Sequence, residues 1–269
     1  AHAESIRTAL AAGIKWIICQ KPFCQDLAEA RKIVAEAEAC GATIVVHENF
    51  RFQPWYRAIK RALDDRVVGD VQQVSFRFRP GDGQGPDAYL ARQPYFQQMP
   101  KFLVHETAVH WVDTFRYLLG NPVAVYADLR KINPVIAGED AGFILFDHKN
   151  GVRALFDGNR NLDHPADNLR RTMGLGLVEG VKGTLTLSGD GSVTLRKFGD
   201  PDVSVLLKPD TWEGFGGDCV HALQCHVVSG VLDEGTLENH AADYLTVIEI
   251  EDAIYASAAS GRKQGLDHI

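Results

Sequence analysis

The chain has 269 residues, 45% of them hydrophobic, which is enough to bury a substantial core in one large domain or two small ones. Its formal net charge of −7 argues against nucleic acid or an anionic membrane surface as a partner. No apolar run approaches the roughly 18 residues of a membrane helix, and the five cysteines, an odd number without a CxxC pair, predict free thiols in the reducing cytoplasm.

The first fifty residues alternate helical and strand-like patterns. Apolar positions at helical spacing run over 3–12 and again over 26–40, and each pattern ends at a glycine. An apolar strand follows each helix, first at 14–19 and then in ATIVVHENF. This order is typical of a parallel sheet with crossover helices, of which about two strands are predicted here.

From residue 71 the pattern changes, and apolar residues recur at every second position. VQQVSFRFR alternates apolar and polar side chains, which predicts a half-buried strand. After a Gly- and Pro-rich loop at 80–86, the patterns predict a helix over about 105–119, strands near 123–131, 139–147 and 152–158, and helices over about 213–230 and 239–259. Asn150-Gly151 and Gly189-Asp190-Gly191 are hairpin signals. We therefore predict an α+β fold: a short parallel α/β segment followed by a large open antiparallel β-sheet flanked by helices.

The stretch IICQKPF ends an apolar strand on a lysine. In open parallel sheets the ligand crevice lies outside the carboxyl ends of the strands, and Lys21 falls at such an end. Pro22 restricts the backbone immediately after it. A lysine there can place a positive charge against a substrate oxygen. The alternative for a lone lysine is an exposed side chain at the end of a strand.

The helical pattern KFLVHETAVHWVDTFRYLLG (101–120) carries a glutamate and two histidines. HETAVH has one residue more than the zinc motif HExxH, and at about 100° per residue His105 and His110 point about 140° apart, so they cannot share a metal from one helix face. Glu106 and His110 are four residues apart and share a face. A carboxylate beside a histidine can orient the ring for general base catalysis. The alternatives are an ion pair on the helix surface or a buried histidine with satisfied hydrogen bonds.

Three segments resemble the family of sugar and polyol dehydrogenases that includes glucose–fructose oxidoreductase and inositol 2-dehydrogenase. HAESIRTALAAGIKWIICQKPF is similar to its His-containing helix and Glu-Lys-Pro strand end, and ENFRFQPWYRAIKRAL to its Asn/Arg-Phe-x-Pro segment. The segment from Glu106 to Gly120 resembles the helix that carries its catalytic histidine. The resemblance covers essentially the whole chain. It implies that residues 1–48 are the C-terminal remnant of a Rossmann-type dinucleotide-binding domain and that 49–269 form a substrate-binding and oligomerisation domain.

The resemblance also implies a reaction, in which hydride passes between a hydroxyl carbon of a sugar-like substrate and NAD or NADP. Lys21 would hydrogen-bond the reacting hydroxyl, and His110 would take its proton while Glu106 steers the ring. The implied substrate-binding residues are Asn49, Arg51 and His105. The implied cofactor-binding residues are His2, Gln20 and Lys21. The antiparallel sheet would mediate a homo-oligomer, because an uncovered apolar face predicts a partner.

Two features depart from the family pattern. Gln20 stands where the family usually has glutamate, and an amide carries no charge that could tune the lysine. The Gly-rich strings PGDGQGP and GLGLVEG lie outside any strand-to-helix turn that opens a βαβ unit. The resemblance aligns the first residue near the fourth or fifth strand of the cofactor domain, so we expect weak NAD(P) binding, or none, by these residues alone. Both features favour the alternative of a non-catalytic regulator or ligand-binding protein on the same scaffold.

Two other groups of residues are candidate sites. His221 and Cys225 are four apart in a helical pattern, but two ligands do not make a zinc site, and we predict no metal centre. Glu139 and Asp140 stand at the start of a strand, where we expect them to serve a turn rather than catalysis.

Overall fold

The N-terminal segment folds as its alternating pattern predicts. In the computed structural model, which describes residues 2–232 and 235–266, helix α1 (His2–Ala11) leads into strand β1 (Trp16–Gln20), and α2 (Leu27–Ala39) leads into β2 (Thr43–His47). Asp26 caps α2 by accepting a 2.8 Å hydrogen bond from the Glu29 N–H. The two strands pair in parallel, ending with Gln20 beside His47. Their carboxyl ends therefore meet at one edge.

The remaining described residues contain four further helices and nine further strands, whose bounds follow. The helices are α3 (Pro54–Asp64), α4 (Val109–Leu119), α5 (Phe215–Leu232) and α6 (Ala241–Ser260). The strands are β3 (Val71–Phe78), β4 (Pro122–Arg130), β5 (Ala141–His148), β6 (Arg153–Asn159), β7 (Gly174–Gly180), β8 (Gly183–Leu187), β9 (Val193–Lys197), β10 (Val203–Leu207) and β11 (Gln264–Gly265).

These nine strands form one sheet in the order β10-β9-β8-β7-β3-β6-β5-β4-β11. Every neighbouring pair is antiparallel except β3 and β6, which run parallel because the chain between them passes through α4 and the β4–β5 hairpin. The predicted large, mostly antiparallel sheet flanked by helices is confirmed. The hairpin signal at Asn150-Gly151 is confirmed as well, since both residues adopt the left-handed conformation, with φ of 63° and 77°, between β5 and β6.

The helix predicted over 105–119 begins differently. Leu103–Ala108 form a π-helical turn, in which the Val109 N–H bonds the Val104 carbonyl five residues back, and α4 continues from there. It ends at Gly120, whose φ of 82° stops the helix where the sequence predicts. A π-helical turn is invisible in an apolar pattern because it inserts one residue without changing residue type, and such turns are frequent at functional sites.

The core lies between the helices and one face of the sheet. Trp111 of α4 is fully buried and packs on three strand aromatics, with ring centroids 4.5 Å from Phe76, 5.2 Å from Phe78 and 5.2 Å from Phe156. Helix α6 crosses the same side against β4, where the Ala127 N–H donates to Ser257 Oγ at 3.0 Å. Within the described ranges no helix is both long and apolar enough to cross a membrane.

Candidate active site

A cavity of about 500 Å³ opens at the carboxyl ends of β1 and β2, opposite the π-helical turn. The strand ends contribute Gln20, Lys21 and His47 to its lining, and the π-helical turn and α4 contribute His105, Glu106 and His110. This is the edge at which ligands bind in open parallel sheets. The structure therefore brings the lysine and the histidine of two distant motifs to one cavity.

Lys21 is held by the π-helical turn. Its Nζ lies 2.9 Å from Glu106 Oε2 and also donates to the Glu106 backbone carbonyl. Only 11% of the lysine side chain and 21% of the glutamate side chain are exposed, so this ion pair is screened less than a surface pair. The ammonium is thereby fixed at the wall of the cavity, with its charge balanced by one carboxylate.

His110 has a different carboxylate partner. Its Nδ1 lies 2.7 and 2.8 Å from the two carboxylate oxygens of Glu48, which directly follows β2 and is fully buried. A carboxylate only accepts, so Nδ1 carries the proton and Nε2 is left as the basic nitrogen. Phe50 stacks on the imidazole with centroids 3.9 Å apart and planes 6° from parallel. The ring is thus held in both orientation and tautomer.

The expectation that Glu106 steers His110 is wrong. Glu106 pairs with Lys21, and within the described part of the chain no hydrogen bond or ion pair joins it to His110. The spacing of four predicts a shared face only in a regular α-helix, and the π-helical turn removes that regularity. Glu48, the residue that does orient the ring, was missed. Its signal is the one that singled out Lys21, a charged side chain at the end of a parallel strand.

The charge of Glu48 is stabilised by its surroundings. Burial by itself raises the pKa of this carboxyl, but the His110 ring, the Lys21 ammonium and the 3.2 Å hydrogen bond from the Phe50 N–H together outweigh it and leave the pKa below its ordinary value. The carboxylate therefore stays ionised at neutral pH, which keeps a proton on the facing nitrogen of His110.

Arg51 does not line the cavity, which corrects its predicted role in binding substrate. Its guanidinium forms two hydrogen bonds of 2.8 and 2.6 Å to the buried Asp113 and a longer ion pair of 3.4 Å to Glu238. Burial opposes the charge of Arg51, but Asp113 and Glu238 outweigh it and raise the pKa of the guanidinium. Arg51 instead fastens the turn after β2 to α4.

The other two residues predicted to bind substrate line the cavity. Asn49 follows Glu48 at the strand end. His105 lines the opposite wall, and its Nδ1 lies 2.6 Å from Glu251 Oε1 of α6. That hydrogen bond raises the pKa of His105, although burial acts against the shift.

The residues predicted on the cofactor side are distributed over two recesses. Gln20 and Lys21 line the main cavity, and the exposed Gln20 accepts a 3.0 Å hydrogen bond from the Lys21 N–H. His2 lines a neighbouring recess and its Nδ1 lies 2.8 Å from the Pro22 carbonyl oxygen. His47, which was not predicted, also lines the main cavity, and its buried Nδ1 has no hydrogen-bond partner among the described residues.

Neither glycine-rich string forms a strand-to-helix turn. GLGLVEG forms β7, and the loop at 80–86 is tied to the sheet domain by Asn133, whose side-chain amide donates to the Gly83 and Gly85 carbonyls at 2.6 and 2.9 Å. His221 and Cys225 lie 3.4 Å apart on α5. Among the described residues, no group of three or more side chains that could hold a metal occurs.

The chain is similar to known proteins in both sequence and fold. Residues 56–186 match the family model described as the GFO/IDH/MocA C-terminal domain. The chain is similar to D-apiose dehydrogenase from Paraburkholderia graminis, with 32% identity over 97% of this chain and 69% of the relative, and to D-apiose dehydrogenase from Rhizobium rhizogenes, with 30% identity over 91% and 70%. Among solved structures, an oxidoreductase from Agrobacterium radiobacter in complex with NAD⁺, L-tartaric acid and magnesium is 28% identical. It superposes with a TM-score of 0.86 over 98% of this chain and 76% of its own.

Proposed function

Since the chain belongs to the GFO/IDH/MocA family of oxidoreductases, we propose that it is an NAD(P)-dependent dehydrogenase that oxidises a hydroxyl carbon of a sugar, polyol or related compound. The observation that carries the proposal is the placement of Lys21 and His110 on one cavity, each with its own carboxylate. A cation can stabilise the negative charge that develops on the oxygen of an alcohol during its oxidation, and a general base can take the hydroxyl proton.

Lys21 binds the reacting hydroxyl oxygen. Its ammonium has three hydrogens, and Glu106 accepts through one side-chain oxygen and through its backbone carbonyl, which leaves one N–H for the substrate. As the hydroxyl loses its proton, negative charge grows on the oxygen, and a fixed cation stabilises that charge more than the neutral hydroxyl.

His110 takes the hydroxyl proton at Nε2. The imidazole then becomes a cation, and the buried carboxylate of Glu48 at Nδ1 stabilises it. Because Phe50 and Glu48 already hold the ring, little reorganisation accompanies the transfer. Glu48 is in this proposal the residue that positions the catalytic base.

The cavity fits the nicotinamide end of a cofactor. His47 lines the cavity, and its buried Nδ1 lacks a hydrogen-bond partner in the described ranges, as expected where a polar ligand group completes the site. Gln20 and Lys21 would contact the cofactor at the same edge. When bound, the nicotinamide supplies the hydride acceptor.

The proposal is tested by measuring reduction of NAD⁺ and NADP⁺ by the full-length protein over a panel of sugars and polyols. Removing the base in His110→Ala is expected to lower turnover by about 10²–10⁴-fold, and Lys21→Ala by about 10²–10³-fold. His221→Ala and Lys149→Met remove an exposed histidine and an exposed lysine far along the chain from these motifs, and should leave turnover unchanged. Unchanged turnover in His110→Ala or Lys21→Ala would remove the role of that residue.

A non-catalytic binding protein on the same scaffold is the second candidate, and Gln20 is the observation that favours it. Its amide retains the hydrogen bond to the Lys21 N–H but lacks the family's negative charge. The same panel separates the two candidates, because ligand binding without any nicotinamide reduction would support the second.

The open face of the sheet supports a homo-oligomer as a further part of the proposal. One row of paired residues crosses this face: Tyr126, Leu145, Leu155, Ser75 and Leu177. Phe143 is 52% exposed in the next row. An extended, partly apolar sheet face that no element of the described chain covers is suited to pair with a second copy.

A further inference from the structure

The lining of the active-site cavity has an excess of positive charge. Among the described residues it includes four lysine or arginine side chains, Lys21, Arg92, Arg160 and Arg170, but a single carboxylate, Glu106. Whether this excess has meaning for a ligand depends on which of the cations are already paired within the protein.

Two of the four are paired. Lys21 has Glu106 at 2.9 Å. Arg160 is 2% exposed and has Asp82 at 2.7 Å, and it also donates to Thr107 Oγ1 at 2.8 Å. Their charges are therefore largely balanced before any ligand enters.

The other two are not paired. Arg92 and Arg170 are exposed at the cavity, and neither guanidinium has a carboxylate partner within the described ranges. Isolated arginines on open surfaces are ordinary, but these two share a concave lining with the proposed catalytic lysine and histidine. A cleft with charge of one sign concentrates ligands of the opposite sign.

Both arginines are carried by segments that the fold holds in place. The Arg170 guanidinium lies over the Phe215 ring, 5.4 Å from its centroid, and the Arg170 backbone N–H donates to Asn168 Oδ1 at 3.0 Å. The Arg92 N–H bonds the Tyr89 carbonyl at 3.1 Å, and the Tyr89 hydroxyl accepts from the buried Arg160 at 2.9 Å. The contact with Phe215 positions the Arg170 guanidinium, and the bond to Tyr89 fixes the backbone of Arg92. Donors on fixed segments bind at a lower entropic cost than donors on a loose loop.

We infer that the substrate is an anionic sugar derivative, whose acidic group binds to Arg92 and Arg170 while its hydroxyl carbon lies at Lys21 and His110. The inference rests on the function proposed above and adds the class of substrate. Guanidinium groups bind carboxylates and phosphates through charge-assisted hydrogen bonds, often in pairs. The acidic group can therefore be the carboxylate of a sugar acid or the phosphate of a sugar phosphate.

The test compares three sets of substrates on the full-length protein with both nicotinamides: D-gluconate, D-galactonate and D-glucuronate; D-glucose 6-phosphate; and the neutral D-glucose and myo-inositol. We expect kcat/KM for at least one acid to exceed that of the neutral compounds by ~10-fold or more. Arg92→Gln and Arg170→Gln should each raise KM for that acid ~10-fold with little change in kcat, as loss of one charge-assisted hydrogen bond predicts. Preference for the carboxylate or the phosphate set identifies the acidic group.

Arg171→Gln is the matched control. Arg171 is the next residue in the chain, but it donates to the Asp190 carbonyl at 3.3 Å, lies near Trp212 and does not line the active-site cavity. It should leave KM for the acid unchanged.

The outcomes separate this inference from the proposed function. The substrate class would be overturned, and the dehydrogenase function left intact, by either of two results. One is a kcat/KM for the neutral compounds that equals that of every acid, and the other is a KM for the acids that is unchanged in both variants. Calorimetric titration of the same compounds in the presence of NAD⁺ tests whether the protein binds the acids without oxidising them. Acid binding that weakens in Arg92→Gln and Arg170→Gln, without turnover of any compound, would support the ligand class and contradict the enzyme.

Discussion

Each of the two proposed catalytic side chains has a separate carboxylate, and the separation has a chemical consequence. Glu106 balances the permanent charge of Lys21, so the cation can be kept in a partly buried cavity. Glu48 instead faces His110, the group that would gain charge in the proposed reaction. If one carboxylate served both, protonation of the histidine would weaken the hold on the lysine. With two carboxylates, Lys21 and His110 each keep their own ion-pair or hydrogen-bond partner.

Glu48→Gln tests the role of the buried carboxylate. Because the pKa of Glu48 lies below its ordinary value of 4.5, its charge stabilises the folded state above that pH, and this stabilisation is lost as the pH falls through the lower folded value. We expect the variant to lower the free energy of unfolding by about 3 kcal/mol at pH 7, as for one partner of a buried pair. The difference from the parent should shrink below about pH 4.5.

Urea unfolding between pH 3 and 8 measures this difference, with Glu4→Gln, an exposed acid on α1, as the control. Turnover should fall by about 10²-fold while KM changes little, because the loss affects the base and not substrate binding. A stability difference that stays constant across the pH range would contradict an ionised Glu48 carboxylate in the folded protein.

At the scale of elements, the site depends on the π-helical turn at 103–108. Glu139, at the start of β5, anchors this turn: one of its carboxylate oxygens accepts from the Phe102 and Val104 N–H groups at 3.1 Å and from the Tyr255 hydroxyl at 2.7 Å. The next residue, Asp140, accepts from the Ile132 and Asn133 N–H groups. Both acids therefore serve turns, as predicted, and Glu139 connects the sheet to the segment that holds Lys21.

Glu139→Ala should disturb this connection. It leaves two buried N–H groups without an acceptor, which is expected to cost about 2–4 kcal/mol of unfolding free energy and to lower the melting temperature by roughly 5–15 °C. Tyr255→Phe removes a hydroxyl that donates to Glu139 and accepts a 3.3 Å hydrogen bond from the His105 N–H, and it should cost about 1–2 kcal/mol. Thermal unfolding of both variants checks the order of the effects. Equal melting temperatures would contradict the anchoring role of the carboxylate.

At the scale of the whole molecule, the nine-stranded sheet has one face packed under α4 and α6 and one face without cover from the described chain. Exposed Tyr126, Phe143 and Leu177 lie on that second face. The cavity lies on the packed side, among the helices. A second copy on the open face would therefore leave the proposed active site accessible.

Phe143→Glu tests the proposed homo-oligomer. The side chain is 52% exposed, so the change should have little effect on folding of the monomer. Its cross-strand neighbours are Asp128 and Asp157, and a third negative charge beside them in the interface is expected to raise the dissociation constant by ~100-fold or more. Sedimentation at micromolar concentration measures the shift. Val228→Glu, on α5 and 55% exposed, is the matched control. A monomeric parent protein would contradict the proposal directly.

Local patterns in the chain predicted the alternating elements of the first fifty residues, the open sheet with several of its strands, and three of the later helices, but they did not predict α3, β10 or β11. They also singled out Lys21 and His110, the two side chains proposed to be catalytic. Alternation of period two and helical spacing depend on which face of an element is buried. The apolar or polar type of each residue therefore shows which face it occupies. These patterns were insufficient for β7, because its glycines serve close approach between strands. A Cβ at Gly174 would lie 2.0 Å from the Arg77 carbonyl oxygen, so the composition of the strand resembles a loop.

Which side chains pair with each other in the site depends on contacts between segments that are far apart in the sequence. Glu48 and His110 are 62 residues apart and Lys21 and Glu106 are 85 apart, so no local spacing carries either pair. The π-helical turn and the parallel strand ends position these carboxylates. A distant contact also explains why Arg51 does not bind the substrate as predicted, because its guanidinium donates to Asp113 of α4. Residue types at strand ends and in helical patterns therefore singled out Lys21 and His110 but missed Glu48 and His47, and only the packing of distant segments determines which charge faces which.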